Sequence, residues 1–115
     1  MAIAVTSPAC KVGFIKNATS ADASATEEIH AAVAGKQIKI RQLTINSGAA
    51  ITITIGEGET AGAVTTALIG PISFAAGRAM QWVFSPALEL TAATSLTVDA
   101  SGAGAICIFV QGSVE

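Results

Sequence analysis

The chain has 115 residues, of which 6 are basic and 8 are acidic, so its formal net charge is −2. This length allows one domain with a real core and excludes two domains. The negative balance argues against a nucleic-acid partner, because binding to phosphates requires clustered positive charge.

The composition is rich in apolar residues and poor in charge. Hydrophobic residues make up 51% of the chain, aromatic residues 4% and charged residues 12%, whereas charged residues usually make up about 25%. So few charges do not cover a free monomer, and much of the exterior must be Ala, Thr and Ser or must lie against other chains. We expect burial in an assembly, because prominent apolar surface usually marks an interface. A secreted monomer faced with Ser and Thr is the alternative.

The first 26 residues are predicted to form an N-terminal arm or a loosely attached segment, with the folded domain at residues 27–115. Ile3 to Thr6 is a short β-capable piece, and Lys11 to Lys16 is a candidate first strand. The next ten residues, NATSADASAT, are small and polar without an apolar period. This pattern is typical of a loop or of an arm that lies on a neighbouring subunit.

The beginning of the chain also bears on where the protein is found. MAIAVTSPACK lacks the basic leader and the long apolar run of a signal peptide. No stretch reaches the length of a membrane span. We therefore expect a protein that is made and kept, or assembled, in the cytosol and has no membrane partner.

Residues 27–55 carry the clearest strand signals. Residues 27–35, EEIHAAVAG, alternate between apolar and more polar side chains until Gly35, which predicts a half-buried strand. In the next stretch, KQIKIRQLTINSGAAITITI, the first four apolar residues are spaced two, three and two apart: Ile38, Ile40, Leu43 and Ile45. Plain alternation would place the second pair on the wrong face, and a helix would spread all four around its circumference.

An irregular strand accounts for this spacing. A β-bulge near Arg41 and Gln42 would return Leu43 and Ile45 to the face used by the two preceding isoleucines. The alternative is a regular strand that passes from one packing environment to another.

Turn chemistry follows this strand. Asn46-Ser47-Gly48-Ala49 predicts a hairpin, because Asn and Gly adopt positive φ at little cost, and it leads to the alternating strand Ile51 to Ile55. Gly56 to Gly62, GEGETAG, is predicted to be a mobile loop, since three glycines in seven residues carry a large entropy cost when they are ordered.

The second half of the chain predicts further strands. Thr65 to Phe74 is expected to break at Gly70-Pro71, because Pro donates no ladder hydrogen bond. The remaining predicted strands are Met80 to Phe84, Leu88 to Leu90, Leu96 to Ala100 and Ala105 to Val110. The last of these is apolar on both faces and should be central to its sheet or covered by another subunit. About eight strands with frequent turn signals predict an all-β, antiparallel β-sandwich of jelly-roll type.

No catalytic, cofactor-binding or metal-binding residues are predicted. GEGETAG lacks the Lys and the following helix of a phosphate-binding loop, and Glu57 and Glu59 alone supply too few oxygens for calcium. His30 is the only histidine, so a zinc site would need both cysteines and a carboxylate beside it, and an exposed or hydrogen-bonded strand residue is expected. Cys10 and Cys107 lack the C-x-x-C spacing of a metal or redox site and are expected to be buried thiols.

Trp82 is the only Trp and has two interpretations. An exposed ring could stack on a sugar or a base, which leaves a carbohydrate-binding module open as a function. Trp82 stays in phase with Met80 and Phe84, however, and this favours a place in the bulkiest core segment, which is predicted to end at Ser85-Pro86.

Three segments resemble small structural proteins of tailed bacteriophages: AAVAGKQIKIRQLTI at residues 31–45, ALIGPISF at residues 67–74 and AICIFV at residues 105–110. In that group a VAGKxIxIxxLxI strand, a LxGPIxF strand and an apolar last strand frame a compact β-sandwich. The resemblance covers roughly residues 27–111 and consists of strand patterns.

The resemblance implies a virion protein, in the first place a decoration or cement protein on the capsid exterior. It implies a homotrimer that contacts the major capsid protein or other virion proteins and needs no cofactor. Such proteins work through interface area, and many symmetric copies multiply the effect of each contact. A tail, fibre or baseplate component is the alternative within virions, and an enzyme is the function least favoured.

Overall fold

A computed structural model gives the fold of the chain, and the structure describes residues 12–115. This part of the chain contains eight strands and no helix. The strands are β1 (Val12–Asp22), β2 (Glu27–His30), β3 (Ile38–Ser47), β4 (Ile51–Thr60), β5 (Ala63–Phe74), β6 (Arg78–Glu89), β7 (Leu96–Ala100) and β8 (Ala103–Val114). The prediction of an all-β fold is confirmed. The expectations for Ile3 to Thr6 and for Cys10 lie outside the described residues.

The strands form two antiparallel four-stranded sheets that pack face to face. The first sheet has the order β1-β8-β3-β6, and the second has the order β2-β7-β4-β5. The chain changes sheet at every connection except that between β4 and β5. This is the strand order of a jelly roll, with the eight strands shared equally between its two sheets. The predicted jelly-roll sandwich is therefore confirmed.

The core lies between the two sheets and is built from alternate residues of their inner strands. The first sheet contributes Ile40 and Leu43 of β3 and Ile108 of β8, all at most 1% exposed. The second sheet contributes Ile55 of β4 and Val98 of β7. Aliphatic and mostly β-branched side chains dominate, which suits a pleated surface covered on one side.

The irregularity in β3 lies where the sequence predicts it. Ile40 pairs with Gly112 of β8 and Gln42 pairs with Gln111, so Arg41 is the extra residue on β3. The pairing with β6 shifts at the same place. Because of this bulge the four apolar residues of β3 all face the core, with exposures of 2% or less: Ile38, Ile40, Leu43 and Ile45. The β-bulge is confirmed, and the alternative of a two-sided strand is wrong.

The predicted hairpin at residues 46–49 is wrong. β3 and β4 lie in different sheets, so this segment carries the chain from one sheet to the other. Its backbone is held by other elements: the N–H of Gly48 donates to the carbonyl of Ala105 at 2.8 Å, and the carbonyl of Ser47 accepts from Gly77 at 2.8 Å. The residues of this segment are compatible with a hairpin turn. Because β3 pairs with β8 and β6, however, the segment leads to the other sheet instead.

The predicted mobile loop at residues 56–62 is also wrong, because β4 continues to Thr60. The hairpin turn is shorter and consists of Ala61 and Gly62, which have φ angles of 53° and 80°. Two consecutive positive φ angles are typical of a type I′ turn. Gly56 lies inside the strand, where an added Cβ would come within 2.6 Å of the carbonyl oxygen of Thr66. The absence of a side chain at Gly56 therefore allows the backbones of β4 and β5 to pack closely.

The prediction of an N-terminal loop or arm is wrong for residues 17–22, which belong to β1. This strand pairs with β8 from Val12 to Asp22 at the edge of the first sheet. Small polar residues are compatible with an edge strand, because only part of each side is covered. The strand predicted for residues 27–35 is shorter than expected and ends at His30.

The second half of the chain follows the prediction more closely. β7 is confirmed at Leu96–Ala100, and β8 lies between β1 and β3, as expected for a strand that is apolar on both faces. β5 continues past Gly70-Pro71 on the edge of its sheet, but its pairing with β4 shifts there, between the pairs Ile53–Ile72 and Ile55–Ile69, so the predicted break is a local irregularity in the strand. β6 continues to Glu89 and includes the separately predicted strand at residue 88, but its pairing with β3 is interrupted around the predicted end at Ser85-Pro86, between the pairs Gln42–Val83 and Ile40–Leu88.

Close packing at the bulge predicts the effect of one substitution. A Cβ on Gly112 would overlap the carbonyl oxygen of Lys39 and lie 3.1 Å from Cα of Ile40. Gly112→Ala should therefore lower the free energy of unfolding by about 1–3 kcal/mol, the usual cost of overpacking. Urea denaturation measures this change. Gly102→Ala is the matched control, because nothing lies within 4 Å of a Cβ there. Equal stability of the two variants would contradict the described packing.

Candidate functional site

The residues whose side chains could take part in catalysis or metal binding are not brought together in the structure. The ring of His30 packs against that of Phe14 at an angle of 57°, with ring centroids 4.6 Å apart, and its Nδ1 lies 2.8 Å from the carbonyl oxygen of Ala31. This agrees with the expected hydrogen-bonded strand histidine. Cys107 is a free, half-buried thiol whose Sγ lies 3.1 Å from Oδ1 of Asn17, so full burial of this cysteine is wrong.

The two glutamates of GEGETAG have separate structural partners. Glu57 is buried on the inner face of β4 and accepts hydrogen bonds from the N–H of Thr91 at 2.6 Å and from its Oγ1 at 2.8 Å. Glu59 is exposed and accepts from the N–H of Gly62 at 3.1 Å. The solvated loop expected for Glu57 is therefore wrong, and its carboxylate instead fixes the segment that follows β6.

Trp82 lies on the inner side of β6, opposite Leu43 in the pairing with β3. It is partly buried and packs against the core, as does Phe84. The core interpretation of Trp82 is confirmed. Met80 departs from the prediction, since it is 41% exposed. It lies on an edge strand, where the second sheet covers only part of the inner side.

The outer side of the first sheet is the most distinctive surface of the molecule. Register across β1, β8, β3 and β6 aligns its outward side chains into three rows of four. Row 1 is Ile15, Gln111, Gln42 and Val83; row 2 is Asn17, Phe109, Thr44 and Gln81; row 3 is Thr19, Cys107, Asn46 and Ala79. None of these twelve residues is Asp, Glu, Lys, Arg or His. We refer to them together as the uncharged face.

The uncharged face exposes aliphatic side chains at both of its edges. Ile15 on β1 is 65% exposed and Val83 on β6 is 73% exposed. Phe109 lies between them on β8, at the middle of row 2, and is half-buried by its neighbours. These side chains do not contribute to the core, so folding of a single chain does not explain them.

Charged residues border the uncharged face at the end that carries the bulge. The next outward row is Gly13, Ser113, Lys39 and Glu89. Lys39 Nζ lies 3.3 Å from Glu89 and 3.8 Å from Glu115, and Arg41 lies 3.6 Å from Glu115. We refer to this row as the charged row. An uncharged, amide-rich patch that exposes apolar side chains and has charged residues along one end is compatible with a protein interface.

Sequence reasoning missed this surface because its residues come from four strands that are distant in the chain. The signal was present in each strand alone: the outward positions of β3 after the bulge are Gln42, Thr44 and Asn46. Only the strand order places Ile15 and Val83 at the two ends of one row.

Comparisons of the chain with family models, with curated proteins and with solved structures give no match. Within residues 12–115 there is no group of three or more His, Cys, Asp or Glu side chains that could hold a metal ion. No helix of the described part of the chain could cross a membrane. Function is therefore inferred from the uncharged face together with the resemblance in strand patterns.

The exposed aliphatic residues should be dispensable for folding. Ile15→Thr and Val83→Thr should each change the free energy of unfolding by no more than about 0.5 kcal/mol, as is usual for surface positions. Leu43→Ala, the buried control, should cost about 2–5 kcal/mol. Urea denaturation in dilute solution, where single chains predominate, measures all three. A loss at either surface position as large as that of Leu43→Ala would show that these residues serve the core.

Proposed function

We propose that the chain is a structural protein of a virion and decorates the head shell as a cement protein, assembled in the host cytoplasm. In this role it stabilises the shell through contacts with the major capsid protein and with further copies of itself. The observation that carries the proposal is the uncharged face, with its exposed Ile15 and Val83. The resemblance in strand patterns supplies the class of assembly.

The size of the uncharged face fits the centre of a protein interface. Four strands about 4.8 Å apart and three rows about 6.7 Å apart span about 19 by 20 Å, or about 400 Å² in projection. A standard interface takes about 800 Å² from each partner. The uncharged face therefore supplies about half of that area, and bordering residues such as Lys39 and Glu89 supply a polar rim.

Chemistry disfavours partners other than proteins. Nucleic acid and anionic headgroups bind through clustered Lys and Arg, and the twelve positions of the uncharged face contain neither. A carbohydrate-binding module would use an exposed aromatic platform, whereas Trp82 packs against the core. A tail, fibre or baseplate component would use the same kind of surface, so only location in the particle separates it from a cement protein.

Particles produced with and without this chain test the proposal. Cryo-electron microscopy should show repeated density on the head shell that is present only when the chain is produced. Particles without it should release their contents at lower temperature, because many symmetric contacts are lost at once. His30→Ala is the control variant, since His30 lies on β2 in the second sheet and not on the uncharged face, and it should restore both properties.

Two other results of this experiment would contradict the cement function. Density confined to the tail would replace the cement function by the tail alternative. Indistinguishable particles in the two preparations would contradict a structural role in the virion.

A further inference from the structure

We propose that a second copy of this chain covers the uncharged face, related to the first by a two-fold axis that lies in the interface and runs parallel to the strands. This goes beyond the virion function, because it identifies the surface and the symmetry by which copies associate. It rests on the order of side chains across the rows and on the charges around them.

Row 1 reads the same in both directions, since an aliphatic residue, two amides and an aliphatic residue follow one another across the sheet. A two-fold axis along the strands reverses the strand order and keeps each row level with itself. Ile15 then faces Val83 of the second copy, and Gln111 faces Gln42 of the second copy. Apolar groups meet apolar groups, and amides meet amides.

The other rows are compatible with the same axis. In row 2, Asn17 faces Gln81 of the second copy, while Phe109 faces Thr44. Each amide both donates and accepts hydrogen bonds, so a row of amides can pair with its own image. In the charged row, Lys39 faces Ser113 and Glu89 faces Gly13 of the second copy. No like charges are opposed, which matters because such contacts cost several kcal/mol.

An axis across the strands fits less well. It would place row 1 against row 3, so that Ile15 meets Thr19 and Val83 meets Ala79 of the second copy. The two Gln side chains of row 1 would then lie opposite Cys107 and Asn46. Only the axis along the strands pairs the two most exposed aliphatic residues with each other.

Area and packing geometry also fit a second copy. The same patch is used on both chains of a two-fold contact, so the interface must be self-complementary. Two sheet faces pack about 10 Å apart with their strands within about 30° of each other, which is compatible with an axis parallel to the strands. With the charged row added, the projected area rises to about 500 Å², which is the larger part of the roughly 800 Å² that a standard interface takes from each partner.

The proposed contact requires an even number of chains in the assembly. A two-fold contact closes on itself and gives dimers, or larger assemblies with an even number of chains. An isolated homotrimer, which the resemblance implies, does not contain it. The proposal of a two-fold contact and the proposal of a virion function can therefore be disproved independently of each other.

A charge-exchange experiment tests the contact directly. The variants are Ile15→Glu, Val83→Lys and the double variant, studied as full chains by sedimentation equilibrium up to about 100 μM, where even weak dimers are populated. The unaltered chain should be dimeric. Each single variant should weaken association at least about tenfold, because it buries an unpaired charge. The double variant should recover most of this loss, since each new carboxylate then faces a new ammonium group.

Controls separate this result from unfolding and from general charge effects. Both altered positions are more than half exposed, so circular dichroism should show folded variants. Ser73→Lys adds a charge to an exposed position of the second sheet and should leave the dimer unchanged. An unaltered chain that is a monomer or a strict trimer would overturn the inference. So would a double variant that associates no better than the single variants, because Ile15 and Val83 would then not face each other.

Discussion

The bulge between Ile40 and Gln42 is the constraint on which both surfaces of the first sheet depend. One extra residue, Arg41, shifts the rest of β3 by one position. Leu43 and Ile45 therefore face the core, while Gln42 and the polar residues after it face outward. A regular strand would exchange these two sets. The same local irregularity thus sets the composition of the core and keeps the outer face free of large apolar residues in β3.

Glycine in the neighbouring strand makes the bulge possible. β8 passes so close to β3 at Gly112 that a side chain would overlap the backbone of Lys39. The charged row lies beside this point, where Lys39 bridges Glu89 and Glu115. Partly exposed ion pairs of this kind add little to stability, and we interpret them as the border of the proposed interface. The twelve positions beyond the bulge contain no Asp, Glu, Lys, Arg or His, whereas Lys39 and Glu89 lie on its other side.

Periodicity within single strands was predictable from the sequence, whereas pairing between strands was only partly so. The spacing of Ile40 and Leu43 requires a bulge because side chains alternate along a strand. Turn-forming residues gave the wrong partner for β3, since Ser47 and Gly48 satisfy hydrogen-bonding groups of other elements. Glycine in β4 suggested mobility, although Gly56 serves close packing with β5. The uncharged face needs the full strand order, which comes from long-range contacts.

Chemical-shift changes on dilution test whether copies of this chain meet at the uncharged face. Amide signals in two-dimensional NMR spectra would be followed from high to low protein concentration. We expect shifts at Ile15, Phe109 and Val83 and constant signals at Thr52 and Ser73 on the outside of the second sheet. Concentration-dependent shifts confined to the second sheet, or no shifts at all, would contradict the proposed contact.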